Sequence, residues 1–193
     1  GHPYLAGAPI LVAHRGGAAL APENTMAAFE AAVENWGADM LELDVHLSRD
    51  GEVVVIHDPT VDRTTDGRGA VREMDWRQIS RLDAGTRWVA DDGSRPWSGV
   101  GVRVPRLDEL LERFPDTRLN VEAKVQEIAG PLVDLVRRHG AEGRVLLAAE
   151  HERARAHVVE RYGGPVGASR SQVAAFLALS RLPFISGTPR VDA

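Results

Sequence analysis

An α/β fold built on a parallel sheet is what this 193-residue sequence predicts, and three observations predict it. Short apolar or alternating strand segments recur between helix-like segments at roughly thirty-residue spacing, the rhythm of βα units. The turn after the first apolar run, HRGGAALAP, lacks the GxGxxG that an open dinucleotide-binding sheet would carry there. Ionisable residues gather where strands end, which is where closed barrels build their sites. The expected architecture is a TIM-type (β/α)8 barrel in one domain, 1–193, apparently short of its last two strands and carrying an insertion, 59–105, after the third strand.

Residues 10–13 (ILVA) form the first strand candidate. PENT at 22–25 opens a helix with Asn24 or Thr25 as its cap, and Met26, Phe29, Val33 and Trp36 follow at helical spacing before Gly37. MLELDVHL (40–47) alternates strictly, Asp50-Gly51 turns the chain, and VVVIHD (53–58) reads as a third strand. Residues 59–105 show little periodicity apart from a short helix near 75–82, and long loops inside compact domains are commonly functional. Regularity returns with a helix at 106–114, a strand at 118–124 and a helix at 127–139. A strand at 144–149, a helix at 151–162, a strand near 165–169 and a helix at 171–181 complete the count. Six strands leave an open edge. A shortened chain, residues beyond this sequence, or a second copy covering the edge in a homo-oligomer would each account for it.

Composition narrows the functional class. The net charge of −5 has no polybasic block behind it, so nothing suggests a nucleic acid or an anionic membrane surface as partner. No run approaches the ~18 apolar residues of a membrane span, so stable membrane anchoring is not expected. With no cysteine, disulfides and thiolate metal sites are excluded. The N-terminus has no signal-peptide pattern, its Gly-His start reads as a processing scar, and a cytoplasmic protein is the default expectation.

Side chains two apart on a strand share a face. Glu42, Asp44 and His46 therefore face one way, and Leu41, Leu43, Val45 and Leu47 the other. RLNVEAK repeats the device with Asn120, Glu122 and Lys124 inward. His14 and His57 each close an apolar run just before a turn. Three crowded carboxylates call for a cation, and an all-oxygen set suits Mg²⁺ or Ca²⁺ better than zinc. Two histidines can divide proton donation and acceptance near neutral pH. Arg15 and Lys124, the latter the one lysine among 23 basic side chains, supply fixed positive charge of the kind a phosphate needs. Hard cation, histidine pair and flanking cations together point to phosphate-ester cleavage. His46 lies beyond the acids and reads as a rim or supporting residue, Glu23, Asn24 and Thr25 as a helix start shaping the first loop. Trp76, Trp88 and Trp97 read as groove or loop packing.

These residues also carry a resemblance. HRG, PENT, E-x-D, DG-x-VV-x-HD, RTT-x-G and N-x-E-x-K appear in order between about residues 10 and 125, and the stretch strongly resembles the glycerophosphodiester phosphodiesterase family. The resemblance implies a metal-dependent barrel that cleaves glycerophosphodiesters to glycerol 3-phosphate and an alcohol. It implies His14 and His57 as the acid–base pair, Glu42, Asp44 and Glu122 as ligands of one divalent cation, and Arg15 and Lys124 as phosphate contacts. It also implies that 59–105 is the family's insertion beside the site. Two alternatives stand beside it: an incomplete barrel that binds metal and phosphate without turnover, and a relative that cleaves lysophospholipids.

Overall fold

The structure is a computed structural model that describes residues 3–7, 9–149 and 151–179. Its sheet is laid down by β1 (Val12–Ala13), β2 (Met40–Leu47), β4 (Arg118–Ala123) and β5 (Val145–Ala149), which run parallel in that spatial order. Between and after them come α1 (Met26–Glu34), α3 (Leu107–Arg113), α4 (Ala129–Arg138), α5 (Glu152–Arg161) and α6 (Arg170–Leu179). The strand expected near 165–169 is reduced to one parallel bridge, Leu147 to Val166, beside β5. The predicted end of the last helix at 181 lies outside the described residues. Among the described residues no helix is long and apolar enough to cross a membrane.

Strict alternation in β2 and β4 sorts the wall into two faces. Leu41, Leu43, Val45, Leu119, Val121 and Ala123 are wholly buried and meet Phe29 of α1, Leu107 and Leu110 of α3, and Leu132 and Val136 of α4 in one core. Each of these leucine, valine and phenylalanine side chains stabilises the fold by roughly 1.5–3 kcal/mol through burial. The opposite face is polar toward the strand C-termini and apolar at the other end, where Tyr4 packs with Met40 and Leu146 and donates its hydroxyl to the Leu119 carbonyl at 2.8 Å.

One strand departs from the wall. β3 (Val53–Val55) pairs antiparallel with β2, Val45 opposite Val55 and Leu47 opposite Val53. Val45 also pairs with Ala123, so β3 occupies the edge of β2 that β1 uses at its other end. The segment read from the sequence as a third wall strand is thus the return arm of a hairpin, and the excursion begins with it. Asp50-Gly51 makes that direction available, because a tight turn can join only antiparallel strands. The excursion has its own small core of Val54, Ile56, Val61, Val71, Ile79, Ala84 and Val104, with the short helix α2 (Trp76–Ile79) inside the predicted 75–82. It also reaches back to the first loop: Trp88 Nε1 donates to the Ala18 carbonyl at 3.0 Å.

Candidate active site

The register of β2 on β4 sets the acids side by side. Asp44 is opposite Glu122, and Glu42 opposite Asn120. Carboxylate oxygens of Glu42, Asp44 and Glu122 all lie within 4.8 Å of one another. Burial pushes the Glu42 carboxyl above its ordinary value; the Arg15 amide works against this, and the Asp44 and Glu122 charges add to it. Asp44 is 1% exposed, and burial alone would raise it too. The Asn24 amide and the Lys124 ammonium outweigh that and hold it below the ordinary value. Lys124 Nζ sits 2.9 Å from Asp44 Oδ1 and 2.6 Å from Glu122 Oε2, a balance of charge that low-dielectric acids require.

The loop after β1 delivers the next groups. His14–Gly16 forms a tight turn in which Arg15 has φ 51, a left-handed conformation costing on the order of 1–3 kcal/mol in a non-glycine residue. That strain aims the Arg15 amide at Glu42 Oε2 (2.9 Å) while its side chain folds back toward Glu23 Oε1 (3.1 Å) and Asp44 Oδ2 (3.3 Å). The last approach is an ion pair by distance, since Nε is not in hydrogen-bonding geometry. Gly16 is required twice over: its φ is +76, and a Cβ would stand 2.9 Å from both Ala28 Cβ and Phe29 Cδ1. Asn24, also left-handed at φ 56, donates its side-chain amide to Asp44 Oδ2 at 2.9 Å. His14 is largely exposed, its Nε2 3.9 Å from Glu42 Oε2.

His57 arrives from the other direction. The Ile56 amide bonds the Asp44 carbonyl at 2.9 Å, so the antiparallel arm brings the next residue back to the level of the acids. His46 on β2 is a supporting residue: its Nε2 is 3.0 Å from the His57 carbonyl, and burial lowers its basicity. His57 Nδ1 lies 2.7 Å from Asp58 Oδ1. Thus His14, Arg15, Glu42, Asp44, His57, Glu122 and Lys124 converge on one end of the sheet.

Four partners carry no signal in strand alternation because they sit in loops: Glu23, Asn24, Asp58 and Arg63. All four stand in motifs of the resemblance, PENT, HD and RTT-x-G, but nothing in local spacing showed that they meet. Glu23 and Arg63 also line a pocket of ≈ 310 Å³ with Arg87 and Trp88. Asn120 has a buried side-chain oxygen with no hydrogen-bond partner among the described residues. An orphaned oxygen beside three carboxylate donors is a hard, all-oxygen set, which fits Mg²⁺ or Ca²⁺.

Fold and site together define an α/β protein of TIM-barrel type with an acidic cluster, flanking cations and two histidines at the strand C-termini. The chain belongs to the glycerophosphoryl diester phosphodiesterase family, whose pattern it matches over residues 14–157. It is 40% identical over 147 residues to the glycerophosphodiester phosphodiesterase of Caldanaerobacter subterraneus, covering 72% of this chain and 57% of that protein. The chain therefore spans little more than half the length of this relative. The glycerophosphoryl diester phosphodiesterase domain of a Mycobacterium tuberculosis protein superposes with a TM-score of 0.85 at 27% identity, over 94% of this chain and 68% of that one. A phosphodiesterase of Oleispira antarctica, solved with the product sn-glycerol-3-phosphate, superposes at 0.74 with 25% identity, over 89% of this chain and 72% of that one.

Proposed function

We propose that this protein hydrolyses glycerophosphodiesters to glycerol 3-phosphate and an alcohol. The observation that carries the reading is the cluster of Glu42, Asp44 and Glu122 within 4.8 Å, flanked by Arg15, Lys124 and two histidines. The three acids hold one divalent cation, Mg²⁺ or Ca²⁺, which when bound supplies Lewis-acid neutralisation of a phosphoryl oxygen. Arg15 and Lys124 oppose the charge that builds on the remaining oxygens as the P–O bond is exchanged. One of His14 and His57 accepts the proton of the attacking hydroxyl, and the other donates a proton to the departing alkoxide. The product-bound Oleispira relative supports the glycerol 3-phosphate half of this assignment.

Release of glycerol 3-phosphate from glycerophosphocholine by the 193-residue chain tests it, with Mg²⁺, with Ca²⁺ and with EDTA. The expected result is release that EDTA abolishes and that His14→Ala lowers by at least about 100-fold. A folded chain that binds Ca²⁺ but releases nothing would overturn the reading in favour of a binding module.

A further inference from the structure

We propose that Arg63 is a positioning residue: through Asp58 it fixes the His57 imidazole, and through Glu23 it ties the His57 loop to the turn that carries His14. The inference rests on the reading of His57 as a proton-transfer group.

Both edges of the Arg63 guanidinium are used. On one side Nε reaches Asp58 Oδ2 at 2.6 Å and Nη2 reaches Oδ1 at 3.1 Å. On the other, Nη1 reaches Glu23 Oε2 at 2.8 Å and Nη2 reaches Oε1 at 2.7 Å. Glu23 in turn takes Arg15 Nη1, and Arg15 lies against Asp44. The result is a ladder of alternating charge, Asp58–Arg63–Glu23–Arg15–Asp44, that crosses between two loops 40 residues apart in sequence. A planar fork with fixed N–H directions can grip two carboxylates at once, and an ammonium cannot.

The consequence falls on one nitrogen. Asp58 is held ionised at about 2, first by its hydrogen bond from Arg63, so its oxygens only accept. His57 Nδ1 must therefore carry the proton in the bond to Asp58 Oδ1. With Nδ1 occupied and the main-chain carbonyl engaged by His46, Nε2 is the nitrogen left for chemistry. Arg63 is 47% exposed in its side chain, so its part here is geometric more than stabilising.

The test uses Arg63→Gln, Arg63→Lys and Asp58→Asn in the 193-residue chain. Three readouts are followed: kcat and KM on glycerophosphocholine, Ca²⁺ affinity by calorimetry, and the ring-nitrogen spectrum of His57, assigned with His57→Gln. Both Arg63 variants are expected to lower kcat by about 10–100-fold with KM and Ca²⁺ affinity within about twofold, the size typical when a partner orienting a functional side chain is lost. The His57 signal is expected to leave the pure Nδ1–H form, and Asp58→Asn is expected to add little to Arg63→Gln. Wild-type kcat in Arg63→Lys would overturn the inference, because charge alone would then suffice. A raised KM at unchanged kcat would overturn it in favour of substrate binding, and an unchanged His57 signal would overturn it outright. A parent chain that never turns over, yet shows an Arg63-dependent His57 tautomer, upholds the positioning and fails the hydrolase reading. An active parent matched by Arg63→Gln does the reverse.

Discussion

At position 58 the chain sets a carboxylate between an imidazole and a guanidinium, and its acidity follows from that neighbourhood. The Arg63 hydrogen bond, and after it the His57 contact, hold Asp58 at about 2, below the ordinary ~3.9 of an aspartate. A depressed folded value means that the ionised form is favoured by folding. Its contribution to stability is complete above pH ~4 and is lost as pH falls through about 2. Glu23 and Asp44 are also held low, so the informative quantity is the difference between wild type and Asp58→Asn. Urea midpoints are expected to separate the two proteins at pH 6 and to converge toward pH 2. A gap that stays constant across that range would show that the Asp58 charge is not what Arg63 and His57 stabilise. The HD and RTT-x-G motifs held Asp58 and Arg63, but their contact is visible only in the fold, with Glu23, far away along the chain, on the other edge of the fork.

Helix α1 shows how an element depends on one side chain at its start. Thr25 Oγ1 accepts from the Ala28 amide at 3.3 Å and donates to the Pro22 carbonyl at 2.7 Å, buried throughout. Thr25→Ala is expected to cost about 1 kcal/mol, as N-cap losses do, while Thr25→Ser keeps most of it; denaturant melts of the two variants read the difference. This cap was visible in PENT, as β2 and β4 were visible in MLELDVHL and RLNVEAK, because strict alternation on a half-polar wall leaves a period of two in the sequence. Strand direction leaves no such mark. VVV at 53–55 is equally compatible with a wall strand and with a hairpin arm, and only pairing to Val45–Leu47 decides it. Val166 likewise makes a single bridge where PVGAS promised a strand: the Leu147 amide donates to the Pro165 carbonyl and the Gly167 amide to the Leu147 carbonyl, each at 3.0 Å. The acids, histidines and cations were legible because strand ends carried them; the contacts made by the loop residues that connect them were not.

At the scale of the whole molecule, the first wall strand has one side open among the described residues. Leu11, Val12, Leu20 and Trp36 are between 44% and 59% exposed, and they border a groove of ≈ 550 Å³ along β1 and α1. Contiguous apolar surface of this kind takes up small apolar molecules. An environment-sensitive apolar dye is expected to bind the native chain, and Val12→Lys with Trp36→Glu to weaken that binding with little change in melting temperature; equal dye uptake by the variant would locate the apolar surface elsewhere. The order of the site's residues along the chain matters for biogenesis. Its seven groups, from His14 to Lys124, precede β5, and the antiparallel arm delivers His57 without waiting for a distant strand. On a ribosome, where the N-terminal part of a chain emerges first, every side chain of the site has been synthesised before the fifth strand exists. Synthesis of the site's residues therefore ends before that of the wall's last strand.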